Sequence, residues 1–450
     1  MRRMTRYNGK NFMEEKRMPM LHDNLTINDA GHLCLAGTDT VALAKEYGTP
    51  LYVLDEARIR GKMRMYADSM KACLPEGSMP LFASKALSFK EMYRIAHEEG
   101  IGADIVSGGE LYTALSAGFP AERLYFHGSS KTEAEIRYAV DAGIGFFIVD
   151  NPEELRRISR YASSKQVRQK VLLRLTPGID PHTFAAVTTG TVESKFGVAI
   201  ETGQAVDFVR AALQAPVVEL MGYHCHIGSQ IAEAQPFFDT IDIMTAFMAK
   251  IRDELGFTAP VLNLGGGLAV PYFEGDCSAD PAAVIPQVAA YLQKKCGELS
   301  LPVPVVLMEP GRSIVADAGL TLYTVQNVKT IPGYAEYVAV DGGMTDNPRY
   351  ALYGSRHSAV VANRAGEPSD HTATVAGRCC ESDDLIGVDM PMQKAEIGDV
   401  LAVLVTGAYN YSMASHYNRV PKPPVVMVKD GASRVVVRRE TFGAIAAFDV

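Results

Sequence analysis

One pattern constrains this chain more than any other: from residue 79 to 310, short apolar runs alternate with helical stretches, and the runs count to eight. They are Leu81–Ser84, Ala103–Ser107, Arg123–His127, Gly145–Asp150, Lys170–Thr176, Glu219–His226, Pro260–Leu264 and Pro304–Glu309. Continuous apolar runs bounded by turn residues read as strands buried on both faces. The stretches between them carry helical spacing. In Phe238–Leu255, for example, Phe238, Ile241, Met244, Phe247, Met248, Ile251 and Leu255 fall on one face. Eight βα units with right-handed crossovers predict a (β/α)8 TIM-type barrel.

Beyond Arg312 the pattern changes to strands without comparable helices: Leu322–Ile331, Tyr337–Val340, Thr372–Ala376, Val400–Val405 and Val425–Val428. This predicts a separate C-terminal β-domain. The expected division is 51–310 for the barrel and 21–50 with 311–450 for the β-domain, the segment Leu25–Leu35 pairing with the latter. The first 20 residues, with six Lys or Arg and no apolar core, are expected to be a disordered extension.

Composition narrows the function. The net charge is −8 with no long basic block, which argues against nucleic acid as a partner. No apolar run approaches the ~18 residues of a membrane span. Seven scattered cysteines without metal-type spacing, and no legible signal peptide, predict a reduced, cytoplasmic chain without a structural metal.

In barrels of this kind chemistry gathers at the C-terminal ends of the strands. The polar residues fall there as a set: Lys85, Ser107, His127, Asp150, Arg174, His226, Gly265-Gly266-Gly267 and Glu309. "LNLGGGLAVPY" (262–272) and "MEPGRS" (308–313) follow the last two strands. A lone glycine triplet reads as a tight turn, but two glycine loops on adjacent strands read as a phosphate site. A lone lysine at a barrel rim usually snorkels to water. Lys85 facing a phosphate site instead suggests Schiff-base chemistry on a carbonyl-bearing phosphate, either pyridoxal phosphate or a sugar phosphate. Glu309 would repel a sugar phosphate and suits a pyridine nitrogen, which points to pyridoxal phosphate. His226 could stack on the ring, with His224 a second candidate by strand alternation.

Nine motifs in order then resemble a known family: "FASKALS", "GADIVSGGELYTALSAGF", "DPHTFAAVTTGTVESKFGV", "GYHCHIGSQI", "LNLGGGLAVPY", "MEPGRSIVADAG", "VDGGMTDNPRYALYG", "GRCCESDDLIG" and "TGAYNYSMASHYN". Over roughly residues 25–435 the chain resembles the fold-type III pyridoxal-phosphate decarboxylases, which share the alanine racemase-like fold, and among them the diaminopimelate branch. The resemblance implies that Lys85 holds pyridoxal 5'-phosphate covalently and that His226 stacks on its ring. It implies phosphate binding by Ser229, Gly266, Gly267, Gly311 and Arg312. Glu309 would pair with the pyridine nitrogen, Asp104 and Arg174 would support the lysine and the ring, and Tyr409 would lie against cofactor and phosphate. In the β-domain, Cys380 would be the proton donor after carbon dioxide leaves. Glu381 would hold the distal ammonium of an amino-acid substrate, and Arg312, Arg349 and Tyr353 its distal carboxylate. Family members are homodimers with shared active sites.

A diamino-dicarboxylate needs both signs of charge at its far end, which Arg349 and Glu381 supply. A plain diamine precursor needs only the anion. The implied reaction is therefore decarboxylation of meso-2,6-diaminopimelate to L-lysine, with a related basic amino-acid decarboxylase (D-lysine, D-ornithine, arginine or carboxynorspermidine) as the alternative. Departures from the family pattern include Leu87, Phe184, Asn263, Ala269, Tyr350 and Asp383. The acidic neighbours Glu381, Asp383 and Asp384 are expected to keep the Cys380 thiol protonated.

Overall fold

The computed structural model describes residues 21–179 and 194–450. Eight parallel strands close a barrel in chain order: Met79–Ala83, Gly102–Ile105, Leu124–Phe126, Phe146–Val149, Gln169–Thr176, Val218–His224, Val261–Asn263 and Val305–Met308. The last strand returns to the first through Leu307 opposite Met79. Each strand lies within a few residues of the run that predicts it.

Alternation explains how the barrel fills. Leu81, Tyr125, Ile148, Leu172, Val261 and Leu307, one from each of six strands, form a small cluster of their own. Their neighbours Phe82, Phe126, Phe147, Val171 and Leu173 join the large core under the helices. Successive strand side chains point to opposite faces, so the first set fills the interior and the second faces outward. Strand six is drawn in close at Gly222, where a Cβ would lie 1.9 Å from the Val261 carbonyl oxygen.

Most helices start where the sequence predicts. Thr132 caps Glu133–Asp141 with a reciprocal bond to Glu135, and Asn151 caps Pro152–Lys165. The helix after Lys85 is different. It does not start until Lys90 and runs to Glu98. The Ser88 N–H is committed to Ser412 Oγ of the second domain at 3.0 Å, so the chain stays extended there.

The second domain is built round one long strand, Gly319–Ile331. Its first half pairs with Val400–Leu404 and its second half with Ala335–Val340. His371–Ala376 and Leu385–Met392 extend the sheet beyond Ala335–Val340. Tyr323, Val338, Val375, Ile386 and Val403 are among the residues of its core.

Two expectations about this domain need correction. Leu51–Asp55, assigned to the barrel half, lies in the second sheet between Gly319–Ile331 and Val425–Lys429. Eight strands already close the barrel and leave no edge for a ninth. A strand buried at all five positions must find pairing on both sides elsewhere. Leu25–Leu35 does not join that sheet. It folds on itself as Leu25–Ile27 and Leu33–Leu35, and Thr38–Asp39 completes a three-stranded sheet. Asn28 closes the turn by accepting from Ala30 and His32 N–H groups, each at 3.0 Å. The segment 1–20 and Phe184 lie outside the described residues.

Candidate active site

A cavity of about 340 Å³ opens at the C-terminal ends of the barrel strands, against the second domain. Lys85 enters it from the short turn Ser84–Ala86 directly after strand one. Among the described residues Lys85 is in no ion pair, so its amine is uncommitted.

The wall opposite in charge is Glu309, just past strand eight. Three side chains converge on its carboxylate. His127 Nε2 lies 2.8 Å from Oε1, His224 Nε2 lies 3.3 Å from Oε2, and Asn263 Nδ2 donates to Oε1 at 2.7 Å. The Asn263 Oδ1 in turn accepts the Gly265 N–H at 2.9 Å. Burial by itself would raise the Glu309 carboxyl, but the two histidines outweigh it and hold the group well below the usual range. Burial pushes His224 down to about 4 and lowers His127 as well. The Glu309 carboxylate is thus held as an anion in close contact with two imidazoles and one amide. The ligand atoms of His127, His224 and Glu309 lie within 4.8 Å of one another. The two imidazole nitrogens lie 2.8 and 3.3 Å from the carboxylate oxygens.

Asp104 is buried beside this group, and desolvation together with Glu309 drives its carboxyl well above the usual range. Its Oδ1 has no hydrogen-bond partner among the described residues. Arg174 lies with its guanidinium 4.3 Å from the centre of the Phe196 ring. His226 accepts the Gly266 N–H at Nδ1, 3.4 Å away, and burial keeps it neutral.

The glycines are placed by close approach. A Cβ at Gly266 would lie 2.1 Å from the Glu309 carbonyl oxygen, and one at Gly267 2.3 Å from that of Gly228. At Gly311 it would meet the Ala83 Cβ at 2.9 Å. Only glycine lets these backbone segments meet and leave room for an anion near the Ser229 hydroxyl.

The far end of the cavity is cationic. Arg312 donates to Ser229 Oγ at 3.2 Å and to the Tyr272 hydroxyl at 2.5 Å. Arg349 donates to Ser355 Oγ at 3.3 Å, and its Nε is unpartnered. Both are 7% exposed, and neither is in an ion pair among the described residues. Tyr409 lies between them, its ring 4.8 Å from Arg312 and 5.3 Å from Arg349. It holds a left-handed backbone, φ 63°, and its N–H donates to Ala86, one residue past the lysine. Tyr353 packs on Arg349 at 5.3 Å.

Thus Lys85, Asp104, Arg174, His226, Ser229, Gly266, Gly267, Glu309, Gly311, Arg312, Arg349, Tyr353 and Tyr409 all line one cavity. Cys380 and Glu381 do not. Both are exposed on the second domain, outside the cavity of their own chain. Asp384 is not poised against Cys380 as its sequence position suggests. It is buried, accepts the Met344 and Cys379 N–H groups at 2.6 Å each, and helps to push the Cys379 thiol up to about 11 after burial itself. Leu87 is a core residue rather than a cavity wall.

Sequence reasoning noted His127 only as a strand-end residue and Asn263 only as a departure. Their signal was polarity inside runs otherwise apolar. Tyr272 had no signal beyond its place in the glycine loop.

The fit to pyridoxal phosphate rests on this geometry: an uncommitted amine, a glycine cradle with a hydroxyl and a guanidinium, and a carboxylate kept anionic. The family model for pyridoxal-dependent decarboxylases, pyridoxal binding domain, matches residues 57–316. The chain is 44% identical to a diaminopimelate decarboxylase of Bacillus methanolicus, covering 93% of this chain and 97% of that protein. It is 42% identical to the diaminopimelate decarboxylase of Bacillus subtilis (strain 168), covering 96% and 98%. A solved diaminopimelate decarboxylase of M. jannaschii in complex with L-lysine superposes with a TM-score of 0.87 at 33% identity, over 95% of this chain and 98% of that one.

Proposed function

This chain belongs to the diaminopimelate decarboxylase family, and from that premise we infer that it removes the carboxylate at the D-configured centre of meso-2,6-diaminopimelate, giving L-lysine and carbon dioxide as the last step of lysine biosynthesis. The observation that carries the substrate assignment is the pair Arg312 and Arg349. Two desolvated guanidiniums in no ion pair among the described residues call for anionic groups on what the cavity binds; with Arg312 beside Ser229 at the phosphate, Arg349 is left for a carboxylate remote from the reacting end.

Bound at Lys85, pyridoxal phosphate supplies the electron sink for the pair released when the C–CO2 bond breaks. The chain's own residues do the rest. The Lys85 amine anchors the cofactor. Glu309, fixed by His127, His224 and Asn263, keeps a proton on the pyridine nitrogen. His226, beside Lys85 in the cavity wall, would cover one face of the ring. Ser229, Gly266, Gly267 and Gly311 hold the phosphate, with Arg312 adding charge. Asp104 and Arg174 would support the ring and the lysine from the cavity wall. Arg349 and Tyr353 orient the far carboxylate, and Tyr409 separates the two guanidiniums. The Cys380 thiol gives its proton to the carbon that has lost carbon dioxide, and Glu381 takes the distal ammonium.

Exposure of Cys380 and Glu381 outside their own cavity supports a homodimer in which each subunit completes the other's site. Among the described residues no helix is long and apolar enough to cross a membrane. Together with unpaired cysteines this favours the cytoplasm as the working compartment.

The test is carbon dioxide release by the pyridoxal-phosphate-loaded protein with meso-diaminopimelate beside D-lysine, L-lysine, L-ornithine and L-arginine. Turnover of diaminopimelate alone is expected. Faster turnover of a substrate lacking the second carboxylate would overturn the assignment and favour a basic amino-acid decarboxylase.

A further inference from the structure

We propose that the turn Tyr417–Asn418 is a positioning element for the exposed Cys380–Glu381 tip, with Asn418 aiming the cysteine and Tyr417 aiming the glutamate as two separable functions. The proposal rests on the reading of Cys380 as proton donor and Glu381 as partner of the distal ammonium.

The base of the tip is locked. Asp384 accepts from Met344 N–H and Cys379 N–H, and its oxygens fill the space that side chains would need at Gly343 and Gly377. A Cβ there would lie 2.4 and 2.3 Å from Asp384 oxygens. The tip itself is tied differently. Asn418 Oδ1 accepts the Cys380 N–H at 2.8 Å, and the Tyr417 hydroxyl donates to Glu381 Oε2 at 3.4 Å. The other Glu381 oxygen accepts the Ser382 N–H at 2.9 Å. The Asn418 bond goes to the backbone of Cys380, so it fixes the direction of the side chain and leaves the thiol untouched. The Tyr417 bond goes to the carboxylate itself, so it sets where that charge stands.

The turn is built to hold this geometry. Asn418 and Arg419 both have left-handed backbones, φ 49° and 55°. A left-handed backbone is strained for any residue other than glycine, and asparagine bears it best. Contacts from behind offset that strain. His416 Nε2 lies 2.5 Å from Glu440 Oε2, Arg419 Nη2 lies 2.7 Å from Asp449 Oδ2, and Ser415 N–H donates to the Thr345 carbonyl at 2.8 Å. A strained turn braced at both ends and spent on two exposed side chains is accounted for if those side chains must be delivered at a fixed angle.

The test uses the full-length, pyridoxal-phosphate-loaded protein and three variants. Asn418→Gly keeps the left-handed backbone and removes the acceptor. Asn418→Asp keeps both. Tyr417→Phe removes only the hydroxyl. With Asn418→Gly, kcat is expected to fall about tenfold with KM within about twofold, and Asn418→Asp should recover kcat to within about twofold. With Tyr417→Phe, KM and the calorimetric Kd for L-lysine should each rise about two- to fivefold while kcat holds. If Asn418→Asp is as slow as Asn418→Gly, or if both sites change kcat and KM together, the turn is a plain brace and the proposal fails. Cys380→Ala separates the levels. An inactive Cys380→Ala beside a fully active Asn418→Gly sinks only this proposal, whereas a fully active Cys380→Ala sinks the proton-donor reading beneath it.

Discussion

The two ends of the cavity follow opposite plans. At the barrel end, Glu309 meets His127, His224 and Asn263 at the ends of strands three, six and seven, all buried and all within 3.3 Å of its carboxylate oxygens. At the end facing the second domain, Arg312 and Arg349 are just as buried, yet they meet hydroxyls and ring faces but no carboxylate. A charge that is fully partnered is a part of the protein. A charge desolvated without a counter-ion is unfavourable until a ligand supplies one, and that difference converts into substrate selectivity. On the function proposed above, the barrel end serves a cofactor common to many reactions, and Arg349 at the other end serves one particular molecule.

Substitutions can break this contrast at either end. The largest effect is expected from Lys85→Ala, which should lower kcat on the order of a thousandfold or more and abolish the visible absorbance of the lysine-bound cofactor. Glu309→Gln comes next. It removes the anion but leaves the site's shape, and should cost about a hundredfold in kcat with KM little changed, measured by steady-state kinetics. Arg349→Lys tests the other end. A point charge in place of a planar fork should raise KM for diaminopimelate about tenfold, while any slow turnover of D-lysine, which lacks the second carboxylate, stays as it was.

Stability should respond less, and in a pH-dependent way. His357 lies edge-on to Tyr272 behind the arginines, and its Nδ1 is 3.0 Å from the Leu404 carbonyl oxygen. Burial lowers it to about 4. The unfolded chain takes up this proton near pH 6.5, well before the folded one does. The stabilisation is thus fully present above pH 6.5 and is lost as pH falls toward 4. Between pH 7 and pH 5 this residue's share of the loss should be about 2 kcal/mol, read as the difference between the falls in urea-derived stability of the parent and of a His357→Gln variant, since His224 loses stability over the same range in both. The smallest effect belongs to Asn263→Ala, which should cost about 1–2 kcal/mol by leaving Glu309 Oε1 and the Gly265 N–H each short of a partner. A cost well below that would show the Glu309 clamp to be looser than its geometry suggests.

What could be read from the chain follows the same division. The barrel was legible because its strands are consecutive runs whose pairing follows chain order, and the strand-end rule then collected Lys85, Glu309 and the glycine loops. Leu51–Asp55 was not legible in its place, because its partners come from the far end of the chain and no local pattern records that pairing. The convergence on Glu309 was half visible. His127, His224 and Asn263 stood out as polar residues in apolar runs, but only closure of the barrel brings strands three, six and seven to one carboxylate. Asp384 was misread for the same reason. Its neighbours in sequence suggested Cys380, whereas its carboxylate turns inward to the Met344 backbone.

The position of Leu51–Asp55 also has a consequence for synthesis. On the ribosome this strand emerges before any of the barrel, but the strands on either side of it, Gly319–Ile331 and Val425–Lys429, emerge after all of it. For most of translation a largely apolar strand, Leu51–Leu54, must wait unpaired, the kind of segment that chaperones cover and that aggregates when they do not. The helix Glu56–Cys73 begins at the next residue, so the waiting strand is tethered to a domain that can already fold. Completion of the second sheet then closes the two halves over the cavity in a single late event. The timing of that event makes the enzyme's yield in a cell a question of nascent-chain protection as much as of final stability.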